Sequence, residues 1–178
     1  MVDPSTSQRW LYHLMFAGLA LAVLLMQLVP VGGGIRQIPG PDLLMCLVLV
    51  WVQRRPDYVP LLVLAPILLI ADFLLMRPPG LWAGLTLIGA EFVRRQQLGG
   101  KDLPFMAEWS SVIAVIFAIT ISHWAINAIV AAPKVLIIPG LLQALTTSLA
   151  YPLVLVFSQT FLNVRKRPLD DQRFGGTR

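Results

Sequence analysis

The stretch WSSVIAVIFAITISHWAINAIVAA, residues 109–132, runs its whole length without an Asp, Glu, Lys or Arg. At about 1.5 Å per residue a helix of this length crosses the roughly 30 Å hydrocarbon core of a bilayer. It is not isolated. Five further apolar segments lie at 11–29, 41–53, 58–76, 80–93 and 138–162. So many long apolar runs do not fit inside one soluble core. Composition agrees, since 57% of the 178 residues are apolar and 13% charged, against about 25% charged in a typical soluble domain.

The breaks between segments read VGGGIRQIPGPD, QRRPD, MRPPG, RRQQLGGKDLPF and APKVLIIPG, rich in Gly, Pro and charge. Helix is the only economical structure for the runs, because backbone groups in lipid must pair internally and the alternating strands of a closed barrel are missing. The expected fold is an all-α integral membrane protein of six transmembrane helices. It forms one polytopic domain over residues 1–178, with short cytoplasmic tails at 1–8 and 163–178. Segments 41–53 and 80–93 are short, so they extend, tilt or pack among longer helices. A single re-entrant hairpin over 41–76 is the alternative. Pro66 and Pro152 fall inside segments and predict local kinks. The first run follows Arg9 and superficially resembles a signal peptide. It is too long for one and lacks a small-x-small cleavage site, so it reads as a retained span.

With six crossings, Arg9, Arg54, Arg55, Arg94, Arg95, Lys101 and the five cations of the C-terminal tail share one side. Arg36, Arg77 and Lys134 share the other. The asymmetry places both termini in the cytoplasm. The net charge of +5 is then explained by cytoplasmic flanks, which suit anionic lipid headgroups. Nucleic-acid binding is not indicated.

Catalytic signatures are sparse. A Gly-rich phosphate loop, HExxH, CxxC and a nucleophile elbow are all missing. His13 and His123 have no ligand partner at helical spacing, and Cys46 sits alone in an apolar run. The expectation is a non-enzyme without metal or cofactor. Asp72, in LLIADFLLM, is the most informative polar residue, because an ionised carboxylate in hydrocarbon costs at least ~2.5 kcal/mol. It either contacts a partner or pocket, or it pairs with Arg77 or is protonated. Glu91 stands three and four residues before Arg94 and Arg95, a spacing for local ion pairs. Thr120, His123 and Asn127 make one polar stripe, and Gln143, Thr147 and Tyr151 another. Such stripes face the bundle interior or line a small-molecule cavity. Gly80 and Gly84 form a GxxxG spacing that permits a close helix crossing. Trp10, Trp51, Trp82, Trp109 and Tyr58 fall near segment ends, as an interfacial aromatic belt predicts, while Trp124 is interior.

Two stretches are distinctive beyond composition: PDLLMCLVLVWVQRRPDYVP at 41–60 and ADFLLMRPPGLWAGLTLIGAEFVRR at 71–95. A short apolar helix runs into Trp51, then Arg54-Arg55-Pro56-Asp57-Tyr58, then Asp72, then Pro79-Gly80-Leu81-Trp82. In these features the chain resembles the MreD family, the rod shape-determining membrane proteins of bacteria. The resemblance implies a non-enzymatic scaffold of the cell-wall elongation machinery in the inner membrane. Its implied partners are an MreC-like single-span periplasmic protein, an MreB-like cytoplasmic filament, and RodA with its transpeptidase. It also implies similarity to the S-component fold of energy-coupling-factor transporters. On that basis the Arg54–Tyr58 turn, stiffened by Pro56 and Pro60, is expected to present two guanidiniums and an aromatic to a partner. Asp72, Trp82 and the Gly80–Gly84 face are expected to contact MreC or, in a homodimer, a second copy. The competing expectation is a substrate-binding membrane subunit of a vitamin transporter, with a pocket between the helices.

Overall fold

A computed structural model describes residues 4–28, 39–98, 104–130 and 136–161. The loop cations Arg36, Lys101 and Lys134 and the basic C-terminal tail lie outside the described residues. Those described form six α-helices and one 3₁₀ turn, with no strand among them. The helices are α1 (Pro4–Leu28), α2 (Leu43–Arg54), α3 (Leu61–Leu74), α4 (Leu81–Leu98), α5 (Phe105–Ile129) and α6 (Ile137–Phe161), and the 3₁₀ turn is Pro56–Tyr58. Each expected apolar segment corresponds to one helix. Within α1, α5 and α6 lie stretches long and apolar enough to cross a membrane; α2 and α3 are shorter apolar helices.

Where the boundaries differ, the cause is local. The first helix begins at Pro4, so residues 4–8 of the expected tail are helical. The third begins at Leu61 rather than 58. Pro56 and Pro60 cannot donate backbone hydrogen bonds, and the chain between them closes a 3₁₀ turn. The fourth continues to Leu98, past Arg94 and Arg95, whose guanidiniums pair with Glu91 at 3.6 and 3.1 Å. Those expected local pairs support its last turns. The fifth helix is shifted toward the N-terminus relative to the expected 109–132. It starts at Phe105 and buries the Glu108 carboxylate. Pro66 and Pro152 both lie inside continuous helices.

α2 is the centre of the molecule. Its residues Leu44 to Gln53 are all buried, packed chiefly against α6 and α4, with α1 on a further side. The other contacts run in succession from α1 to α3, α4, α5 and α6. Twelve residues reach only about 18 Å, and the surrounding helices resolve the mismatch by covering this one completely. Trp51, assigned by sequence to an interfacial belt, is instead fully buried beside Phe16, with ring centroids 5.2 Å apart. A helix enclosed by protein can carry an indole in the core without reaching an interface.

Among the described glycines, the one that permits the closest helix approach is Gly89, not the GxxxG pair. A Cβ at Gly89 would stand 2.8 Å from both Ile119 Cδ1 and Val115 Cγ1, so α4 and α5 cross where the side chain is missing. A Cβ at Gly80 or Gly84 would meet nothing within 4 Å.

Candidate functional site

The α3–α4 turn, MRPPG, organises one end of the bundle. α3 closes with paired backbone bonds: Arg77 N–H to the Asp72 carbonyl at 3.0 Å and Met76 N–H to the Phe73 carbonyl at 3.3 Å. This is the Schellman arrangement, in which the residue after the cap adopts left-handed geometry. Glycine usually fills that position, but here it is Met76, at φ 54°. Gly80 then takes φ 85° and leads into α4.

Gly80 has no side chain to cap α4, and Asp72 does so from the preceding helix. Asp72 Oδ2 accepts from Gly80 N–H at 2.9 Å and from Ala83 N–H at 3.1 Å. The carboxylate is fully buried and faces the positive end of the α4 dipole. Of the alternatives open for Asp72, pairing with Arg77 is not the one found. Arg77 instead reaches Asp42, with Nη1 3.2 Å from Oδ2. Asp42 in turn caps α2 by accepting from Met45 N–H at 3.1 Å, while its own N–H donates to Thr147 Oγ1 at 2.9 Å. Residues far apart in the chain therefore tie α2, α4 and α6 together at this end.

Beside that network lies a cavity of about 310 Å³. Its lining includes Arg77, Trp82, Thr120, His123, Trp124 and Gln143, with Met76, Pro78, Gly140 and apolar residues of the α6 start. The Arg77 guanidinium lies 4.9 Å from the Trp82 ring centroid, a cation–π distance. Trp82 meets His123 edge-on at 5.0 Å. Asn127 Nδ2 donates to the His123 carbonyl at 2.7 Å and lies 3.2 Å from His123 Nε2. The two stripes divide between cavity and packing. Thr120, His123 and Gln143 line the cavity. Asn127 orients His123, Thr147 holds Asp42, and Tyr151 is buried in the core.

The opposite end of α2 carries the QRRPDY turn. Arg54, expected to face a partner, turns inward to Glu108 at 3.2 Å, with 11% of its side chain exposed. The turn thus presents one guanidinium rather than two. Arg55 lies over Tyr58 at 5.3 Å, and Tyr58 stacks on Tyr12 at 4.1 Å. Asp57 is exposed, and Pro56 starts the 3₁₀ turn.

Sequence reading missed Asp42 and Glu108. Asp42 is the N-cap of α2, and Glu108 lies in the first turn of α5, where negative charge suits the helix dipole. That position was the available signal. Among the described residues no group of three or more His, Cys, Asp or Glu is placed to hold a metal. Compared with family models, with curated proteins and with solved structures, the chain shows no match.

Proposed function

We propose that the chain is a multi-pass scaffold of the bacterial inner membrane, acting in cell-wall elongation as its resemblance to the MreD family implies. In this reading all six helices cross or enter the bilayer. Both termini are cytoplasmic, which puts the Arg54–Glu108 end inside and the cavity end outside. The partners are an MreC-like single-span protein, an MreB-like filament and RodA with its transpeptidase.

The supporting observation is the α4–α5 face. A groove of about 340 Å³ runs along it, lined by Gly89, Ala114, Ala118 and Ser122, with Ile88 and Phe92 at its border. Ala114, Ala118 and Ser122 recur every fourth residue, and small residues at that spacing let helix backbones approach closely in lipid. On α4, Gly84 is left open by the chain's own packing. Such a face suits one crossing helix from a partner.

Replacing Gly84 or Ala118 with Leu tests this without disturbing a described contact of Gly84. Recovery of a single-span periplasmic partner drops while the variant protein accumulates normally. Depletion of the chain from a rod-shaped host rounds the cells. Unchanged recovery in both variants, together with retained rod shape on depletion, rejects the scaffold reading.

The cavity at Arg77 and Trp82 favours a second reading, a small-molecule-binding subunit of a vitamin transporter. Loss of vitamin uptake on depletion, with rod shape retained, selects it.

A further inference from the structure

We infer that the cavity between α4, α5 and α6 is a binding site for an oxyanion, a phosphate or carboxylate, borne on an apolar or aromatic body. The inference rests on the cavity alone and holds for either reading of the chain's role.

The polar groups that line the cavity are dominated by donors. Arg77 uses Nη1 on Asp42, and its remaining guanidinium donors have no partner among the described residues. The His123 tautomer follows from its neighbours. A backbone carbonyl only accepts, so the Asn127 atom 2.7 Å from it is the amide nitrogen. The second hydrogen of that amide serves Nε2 at 3.2 Å. In the neutral ring this leaves Nδ1 carrying the N–H. Gln143 adds an amide whose side chain has no partner among the described residues. The cavity is also lined by the first turn of α6, whose dipole favours negative charge.

Acceptors that would repel an anion are withheld. Among the described residues no Asp or Glu lines the cavity. Asp42 is bound to Arg77 and to the start of α2, and Asp72 is fully buried against the start of α4. The walls are aromatic and aliphatic, with Trp82 and Trp124 offering ring surfaces. Arg77 also lies over Trp82, which fixes the direction of its fork. One cationic fork, amide and imidazole donors and apolar walls form the pattern of a site that orients a ligand by a single charged group.

Two sources can supply that chemistry, a lipid headgroup or a soluble metabolite, and the probes separate them. The full chain is placed in phosphatidylcholine nanodiscs and titrated with phenyl phosphate, and in parallel with short-chain phosphatidylglycerol. Phenol and a short-chain diacylglycerol serve as controls that lack the oxyanion. Thermal midpoint and tryptophan emission are read together. At least one anionic probe raises the midpoint and perturbs emission saturably, and the controls do not. The probe that acts identifies the source. Gln143→Leu weakens the effect about tenfold, the loss expected for one hydrogen bond to a charged group. Arg77→Lys, which keeps a cation for Asp42 but loses the fork, weakens it further. The ligand-free midpoint of Gln143→Leu confirms that this variant is folded, and its binding decides the matter if Arg77→Lys is not. Binding by neither anionic probe, equal effects from the controls, or wild-type affinity in Gln143→Leu overturns the inference. Because the readout is binding by the purified chain, it succeeds or fails independently of cell shape and of uptake.

Discussion

Met76 holds a backbone geometry that costs an L-residue about 1 kcal/mol, and it does so with 92% of its surface exposed. Its side chain is not what requires it there. The turn's left-handed residue is what returns Arg77 toward Asp42. Met76→Gly is expected to raise stability by about 0.5–1 kcal/mol, seen as a higher thermal midpoint in detergent. Asp72 makes the opposite case. Its Oδ2 is held by two N–H groups at the positive end of a helix dipole rather than by a cation. Asp72→Ala should lose about 2 kcal/mol. Asp72→Asn, which keeps an acceptor oxygen for both N–H groups, should lose less than half as much. Equal losses in the two variants would show that the negative charge, not the capping geometry, matters. The sequence marked Asp72 as unusual but not its partner. Arg77 was the nearest cation along the chain, while the capped residues lie eight and eleven positions away across a turn.

At the scale of helices, the buried ion pair Arg54–Glu108 joins the last turn of α2 to the first turn of α5. Each charge also suits the dipole of its own helix end. Removing either partner breaks a buried ion pair, at a cost of up to about 3–5 kcal/mol. Arg54→Ala and Glu108→Ala are each expected to destabilise strongly, and the double variant by less than their sum. Arg55→Ala, a change at the half-buried neighbour that lies over Tyr58, should cost less, about 1 kcal/mol. A double-mutant cycle on thermal or denaturant unfolding measures the coupling. Helix positions were legible from the sequence because apolar runs between Pro- and Gly-rich breaks leave few choices. Pairings were not. Arg54 and Glu108 come from elements separated by two other helices, and periodicity within one segment says nothing about them. The glycine spacing illustrates the same limit. Gly80–Gly84 matched a known motif, yet Gly89, matching none, makes the close crossing, because Val115 and Ile119 of α5 stand opposite it.

For the molecule as a whole, the arrangement around α2 sets what reagents can reach. Cys46, the single cysteine, is fully buried on that helix and donates from Sγ to the Thr147 carbonyl at 3.2 Å. A maleimide should leave the folded chain unmodified and label it completely after denaturation, which makes Cys46 a native reporter of global unfolding. Rapid labelling in mild detergent would mean that α2 is not enclosed. The general class of the chain was plain from composition, whereas this centre-and-surround plan was not. All six segments are apolar, and hydropathy does not separate a helix facing lipid from one facing other helices.

Covering α2 from several sides also constrains how the chain is made. Residues 43–54 leave the ribosome well before 137–161, the helix that packs against them most extensively. A nascent chain stopped before α6 therefore holds a helix too short for the bilayer with one flank bare, along with an Asp42 lacking its Thr147 acceptor. The core around α2 therefore closes only after α6 has docked, and products truncated before α6 should be recognised by membrane proteases.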